Sequence, residues 1–537
     1  MKKNAFTLIE LLAVIVILAI IALIATPQVI KIITQSQKSA FKESAYGIIK
    51  AGNLYYANYL SKHDGAAEEI SFNLSEENEN LEIKGKVSEG EMRINKEGNV
   101  AIAITDGNYC IRKDYSETDV VFDINADDCY IYEDEEVNGA IPDIKTGMIP
   151  VVIDADGTVR KSHVTSKWYS YKEKIWANAI TVKEDVRDKY QSAEIGTIIN
   201  EEDILTYFVW IPRYRYKLWY ADSSSATITG PHSIDIIFEN KDITKSDGKC
   251  EGIYEKEMNG CYLTHPAFTF ENEELNGIWV GKFKTGKNGS SENNSTAPNE
   301  VVIKPNIQSW RSINVSNMFY TSLNMNSNNN IFGFMEDVDT HMMKNIEWGA
   351  VAYLSHSKYG KDSEVYSNNN TTHLTGCGGD MAEDNSNSNC ENQYGTKIDN
   401  IYNQSTSGNI SGIFDMAGIA AEYVMGYTTG ADPKYGQSGF TDETFPEDKY
   451  IDLYNSTQPS SRGGRKLGDA TGEMGPFSAW NSSWYNDFSH FFHAAYPWIA
   501  RGGGNNVGIF SASTYAYYGN VGNYVSFRVV LIGYDDN

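Results

Sequence analysis

Residues 6–25 form an apolar run twenty residues long that carries one charge, the carboxylate of Glu10. At about 1.5 Å of rise per residue, a helix of this length covers roughly the 30 Å hydrocarbon core of a bilayer. The stub before it, Met1-Lys2-Lys3-Asn4-Ala5, is basic, and basic flanks stay on the cytoplasmic side. A secretory signal would place a small-residue cleavage site after the apolar region. Here the small residue, Ala5, stands before it. An acid inside an apolar span is costly and marks function. A plain signal anchor, with Glu10 tolerated near one interface, explains neither the acid nor the position of Ala5. Pro27 is expected to kink the helix or free a carbonyl where the run ends. Phe41, Ala45, Ile48, Tyr55 and Tyr59 then recur near helical spacing, which predicts an amphipathic stem out to about residue 60.

The basic stub, the small residue, Phe6-Thr-Leu-Ile-Glu10, the apolar helix and Pro27 resemble the leader of type IV pilins and pseudopilins. The departure is Ala5 where glycine is usual. The resemblance implies cleavage between Ala5 and Phe6 by a prepilin peptidase and N-methylation of Phe6. It also implies that Glu10 meets the Phe6 amine of a neighbouring pilin subunit during assembly. The chain would be a single-pass protein of the cytoplasmic membrane first, then part of a surface pilus.

The expected fold class is α+β: a long helix with a small antiparallel sheet, then a large second domain. Leader 1–5, stem 6–60, head sheet 61–135, linker 136–146 and large domain 147–537 are the expected boundaries. In the head, Leu81-Glu-Ile-Lys-Gly alternates, and Val100–Thr105 runs into Asp106-Gly107, a hairpin turn signal. Glu133-Asp-Glu-Glu, Asn138-Gly139 and Pro142 mark the linker. The six cysteines fall into local pairs, Cys110–Cys129, Cys250–Cys261 and Cys377–Cys390. An exported protein keeps disulfides; free buried thiols are the alternative. No Cys or His spacing suits a zinc site.

In the large domain, Phe208–Pro212 and Gly277–Phe283 read as strands, Met343–Ser355 as a helix, and the polar stretches 287–296 and 367–371 as exposed loops. The net charge of -26 argues against nucleic acid as a partner, because phosphate contacts need a basic footprint. It fits a solvated, surface-exposed protein. The chain's 35 Tyr and 10 Trp are too many for disorder.

Gly412-Ile-Phe-Asp415-Met-Ala-Gly418-Ile-Ala-Ala-Glu422-Tyr423, with Arg501-Gly-Gly and Ser526-Phe-Arg528-Val-Val, is similar to the formylglycine-generating-enzyme family. That family is a variant of the C-type-lectin fold. Ile419 and Ala421 depart from its pattern. Its enzyme members bind copper through a C-terminal cysteine pair, and the last cysteine here is Cys390. The chain is therefore expected not to be an enzyme, with no cofactor; calcium stays open, since Asp and Asn are abundant but show no binding-loop spacing. His490 and His493, three apart, could share a helical face, but in the aromatic stretch Phe488-Ser-His-Phe-Phe-His-Ala they read as partly buried structural residues rather than metal ligands. Asp415, Glu422, Arg501 and Arg528 read as framework, the arginines pairing with the acids.

Residues 503–526 contain sixteen Gly, Ser, Asn or Tyr among 24, and no charge. This is the composition of a binding surface: tyrosine offers area at small entropy cost, and Ser, Gly and Asn adapt their hydrogen bonds. Ile509 and Phe510 read as core anchors. The segment also resembles the variable region of retroelement-diversified proteins. That implies a face of Asn505, Asn506, Ser511, Ser513, Thr514, Tyr515, Tyr517, Tyr518, Asn520, Asn523 and Tyr524 toward an unknown cell-surface or phage ligand. The expected function is a minor or tip pilin-type adhesin. A structural pseudopilin and a formylglycine-generating-type oxidase are the alternatives.

Overall fold

The structure is a computed structural model. It describes residues 8–63, 70–74, 89–96, 98–107, 109–113, 115, 119–123, 129, 139–164, 168–217, 233–241, 262–378, 390, 392–395, 399–418, 420–455, 466–471, 487–490, 495–503, 508–514 and 517–533, with backbone alone for 8–34 and a few element ends. It is a mixture of helix and sheet, mostly sheet. The chain divides into two compact units, residues 1–132 with 165–167 and residues 133–164 with 168–537.

The first unit is one helix and one sheet. Helix α1 spans Leu8–Lys62, passing through Pro27. Strands β1 (Ile70–Asn73), β2 (Glu89–Ile94), β3 (Val100–Thr105), β4 (Cys110–Lys113) and β5 (Val121–Asp123) follow as an antiparallel meander in sequence order. Phe41, Ala45, Ile48 and Tyr56 lie buried against Met92, Ile94, Ile102, Ile104 and Ile111. These helix positions repeat at intervals of about one and two turns, so they share one face. Tyr55 and Tyr59 flank that face and are partly buried. The β3–β4 turn falls at Asp106-Gly107: the Asp106 side chain accepts the Tyr109 N–H at 2.9 Å, and Gly107 takes φ +88°, where a Cβ is unfavourable. Ala101 and Ala103 point to the other face of β3, under Tyr115 and Cys129, and Cys110 is disulfide-bonded to Cys129. The alternating segment at Leu81 lies outside the described residues. So do the side chains of Ala5, Phe6 and Glu10. Among the described residues no helix is long and apolar enough to cross a membrane.

The second unit is built on an eight-stranded antiparallel sheet. Its strands are β6 (Ile149–Ile153), β7 (Val159–Lys161), β8 (Asn178–Val182), β9 (Ile198–Ile199), β10 (Ile204–Pro212), β11 (Gly277–Gly281), β12 (Val338–Met342) and a last strand, β19 (Val529–Gly533). The spatial order is β12-β19-β11-β10-β8-β6-β7-β9. β10 and β11 are buried along nearly their whole length, as strands covered on both faces must be. A six-stranded sheet contains β13 (Ala421–Thr429), β14 (Asp452–Asn455), β15 (Ser489–His490), β16 (Trp498–Arg501), β17 (Ala512–Ser513) and β18 (Val525–Ser526). Helix α2 (Asn345–Ser355) is buried on every side, not on the single apolar face its sequence suggested. Its residues are small or aromatic enough to be packed all round.

Three other expectations change. Residues 139–146, assigned to a linker at 136–146, are fixed to the second unit. The buried indoles of Trp210 and Trp279 donate to Ala140 O and Asp143 O, the latter at 2.7 Å. Stretch 287–296 is largely exposed, but Ser367, Asn368 and Asn370 in the second polar stretch are buried. Asn370 Oδ1 accepts from the Thr372 and Leu374 amides and the Thr372 hydroxyl, so these polar side chains satisfy each other's backbone in place of water. His490 lies in strand β15 rather than a helix; His493 lies outside the described residues. Cys377 pairs with Cys390, and Cys250 and Cys261 lie outside the described residues.

Candidate functional site: a tyrosine face on a buried charge framework

The framework begins with register. In β13, Glu422 points into the space between the two sheets, where burial is complete. Arg528, just before β19, meets it with two parallel bonds, Nε to Oε2 at 3.0 Å and Nη2 to Oε1 at 2.7 Å. The rest of that guanidinium donates to Gly281 O and Phe414 O. Lys284 Nζ donates to the same Glu422 Oε1 at 2.7 Å and to Asp415 O at 2.6 Å. Burial works against the Glu422 charge, but Arg528 and Lys284 outweigh it and hold the carboxyl below its usual range. Asp415 sits at φ +64°. Its carboxylate takes N–H donors from Asn368, at 2.8 Å, and from Gly376. Burial raises that carboxyl, with Lys284 opposing.

Only one of the two expected arginine pairs forms. Arg501 bonds neither Asp415 nor Glu422. It donates to Asn345 Oδ1 and to the carbonyls of Asp469, Ala470 and Ile509, and lies 5.5 Å from the Trp348 ring centroid. Glu422 is already taken by Arg528 and Lys284, and the two Nη groups of Arg501 turn to carbonyl dipoles, Asn345 and a π face instead. Lys284 is the framework residue the motifs missed. The alternation Lys282-Phe283-Lys284 after β11 was its signal, since two lysines two apart on a buried strand must both find acceptors.

This framework positions the C-terminal segment. Ile509 and Phe510 are core anchors, with Trp348 Nε1 donating to Ile509 O at 2.7 Å and Phe510 edge-on to His356. Ser511, Ser513 and Thr514, expected on a ligand face, are buried. Strand β17 runs between β15 and β16, and both of its residues, Ala512 and Ser513, are buried. Asn505, Asn506 and Tyr515 lie outside the described residues.

The surface residues are those of 517–524. Tyr517, Tyr518 and Asn520 are half-buried; Asn523 is exposed, and so are Val521, at 43 %, and Tyr524, at 45 %. Their backbone is held from beneath. The Tyr423 hydroxyl accepts the Gly519 N–H, Gly519 O accepts from Val315, Gly522 O from Ser312, Asn523 O from Arg311 Nη1, and Tyr524 O from Ala421. A loop tied at this many points presents its side chains at low entropy cost. Tyr517 packs edge-on against Tyr423 with centroids 5.7 Å apart, and burial, with Tyr524 nearby, pushes its hydroxyl up to about 12.

The face extends beyond 503–526. Tyr496 meets Tyr518 edge-on at 4.9 Å, and the loop at 433–438 docks on the same strand, with Gln437 N–H donating to Tyr518 O and Trp498 Nε1 to Tyr435 O. At Gly436 (φ +59°) a Cβ would lie 2.4 Å from Tyr518 O, so only glycine permits this approach. Asp487 accepts the Gly508 and Phe510 amides at the other end of the segment, and burial raises its carboxyl to about 7. Clefts of about 580 Å³ and 390 Å³ lie elsewhere in this unit, lined by residues around Trp210 and around Asp452. With Val521 and Tyr524 exposed and Tyr517, Tyr518 and Asn520 half-buried, the tyrosine face is a surface patch.

Residues 1–26 match a family model described as the prokaryotic N-terminal methylation motif. No curated protein matches the chain. Among solved structures, the Major Tropism Determinant I1 variant is similar at 12 % identity and a TM-score of 0.23, over 81 % of this chain and 82 % of that one. The P3c variant is similar at 12 % identity and a TM-score of 0.24, over the same shares. Scores this low carry no weight for the fold. What stands is a prokaryotic N-terminal methylation motif at residues 1–26, ahead of a sheet-rich unit bearing the tyrosine face.

Proposed function

We propose that the protein is a pilin-type surface adhesin, cut before Phe6, methylated there, and mounted through α1 with Glu10 contacting a neighbouring subunit. Its second unit, read as lectin-like, recognises a surface molecule through Tyr517, Tyr518, Asn520, Asn523 and Tyr524, flanked by Tyr496. It acts by binding, not by chemistry. The observation that carries this reading is the contrast within one segment. Residues 509–514 are buried as an anchor, while 517–524 hold large uncharged side chains at the surface on a backbone fixed by hydrogen bonds. A segment that only closed the fold would have no reason to keep Tyr524 and Val521 exposed. Aromatic anchors on a rigid support are what binding hot spots use.

The test is adhesion by cells carrying the full chain with Tyr518→Ala and Tyr524→Ala together. Each truncated hot-spot tyrosine is expected to cost about 2 kcal/mol, so adhesion should fall at least tenfold at unchanged surface amount. Unchanged adhesion would favour a structural pseudopilin whose large unit is a spacer.

A further inference from the structure

A small pit of about 10 Å³ lies beside the tyrosine face, lined by Lys284, Ser309, Asn368, His373, Leu374, Thr375 and Ala420. Two links place it there. The residue after Ala420 donates its N–H to Tyr524 O, and Arg311, two residues beyond Ser309, donates to Asn523 O. Asn368 and Thr375 are fully used. The Asn368 amide donates to Leu374 O and Asp415 and accepts from Asn370, and the Thr375 hydroxyl donates toward Lys304 O and Ile307 O.

Three groups are left over among the described residues. Ser309 is 1 % exposed and its Oγ has no hydrogen-bond partner. His373 Nδ1 has none either. Lys284, 3 % exposed, makes two bonds with an ammonium that has three donors. A buried polar group without a partner costs on the order of 1–3 kcal/mol, so two such groups and a spare ammonium donor around one space call for an occupant. About 10–15 Å³ holds a single oxygen with its hydrogen.

The lining selects that occupant. Burial, together with Arg311 and Lys284, holds His373 down to about 4, so the imidazole is neutral near pH 7. The positive charges nearby already face carboxylates: Lys284 and Arg528 share Glu422, with Asp415 beside Lys284, and Arg311 pairs with Glu292 at 2.8 Å. A further anion is therefore not required. Lysine donates, serine does either, and a neutral imidazole nitrogen accepts or donates with its tautomer. That set complements a group that both donates and accepts.

We propose that the pit is a socket for one neutral hydroxyl group, presented by a carbohydrate lying on the tyrosine face. The site rests on the recognition function proposed above and names its ligand class. Water fills the socket in the free protein, and a sugar hydroxyl replaces it while the exposed Tyr524 ring packs on the sugar's apolar face. Carbohydrate is favoured over protein because residues 517–524 carry no charge and a sugar presents a hydroxyl beside an apolar ring face, which suits a one-hydroxyl socket next to an exposed tyrosine ring.

The experiment is an array of neutral and acidic glycans probed with the full-length protein in detergent, as wild type, Ser309→Val and Ser309→Ala. Valine plugs the socket; alanine removes one partner and leaves room for water. Binding to neutral glycans is expected, reduced at least tenfold by Ser309→Val and about fivefold by Ser309→Ala, at an unchanged melting temperature. Should the valine variant fail to fold, the alanine variant decides alone. Equal binding by the variants, binding of acidic glycans only, or no glycan binding would overturn the socket. If the tyrosine variants still lower adhesion in those cases, recognition stands with a protein partner. If they adhere normally, the recognition function itself has failed.

Discussion

At the scale of single residues, Arg528 governs the second unit. It joins the last strand to Glu422 in the other sheet and to the carbonyls of Gly281 and Phe414, all without water. Removing one partner of a buried pair costs about 3–5 kcal/mol when the other charge is left alone; here Lys284 still holds Glu422, so the lower end of about 3 kcal/mol applies. Arg528→Met should therefore destabilise the unit by that amount in denaturant unfolding. The double variant Arg528→Met/Glu422→Gln should lose less than the sum of the two single losses, because the Arg528–Glu422 bonds are lost in each single variant and counted twice in that sum. The pair was legible in the sequence, since both residues stand in motifs that resemble a known framework. Arg501 was not, because carbonyl acceptors and a tryptophan face leave no trace in a motif. Ser511, Ser513 and Thr514 show the same limit from the other side. Composition names the residue types of a binding surface, but only strand pairing decides which of them face inward.

At the scale of elements, β12 and α2 are joined by a buried His341. Its Nδ1 lies 2.6 Å from Asp339 Oδ1 and its Nε2 lies 3.0 Å from Glu347 Oε1. Phe270 stacks on the ring and Tyr450 OH donates to Asp339 Oδ2. Burial disfavours the imidazolium, yet the two carboxylates outweigh it and raise His341 from 6.5 to about 9. A group raised in the folded state stabilises fully below its unfolded value and loses that contribution as pH climbs through the folded one. Stability should thus hold to about pH 6.5 and fall by on the order of 3 kcal/mol by pH 10, at about 1.4 kcal/mol per unit. Melting temperatures from pH 6 to 10 check this, with His341→Gln expected to flatten that part of the profile. On the acid side, Asp339 and Glu347 are held below their usual range, so their contribution is lost only as pH falls through those lowered values. The elements themselves were largely visible beforehand. The stem face at Phe41, Ala45 and Ile48, the Asp106-Gly107 turn and the strands at 208 and 277 follow from periodicity and turn chemistry. The buried loop at 367–371 was not, because Asn side chains that replace water look in sequence like Asn side chains that face it.

At the scale of the whole molecule, two units answer to two kinds of information. The N-terminal motif is local, so residues 1–26 are read directly from sequence and match a methylation-motif model. The tyrosine face is assembled from segments far apart in the chain, at 435–437, 496 and 517–524, and only the fold brings them together. The proposed function requires that a processed helix carry this face to the cell surface. The most direct measurement is N-terminal sequencing of the protein sheared from intact cells. A mature chain that begins at N-methylated Phe6 is expected. A chain that begins at Met1, or after Pro27, would contradict it.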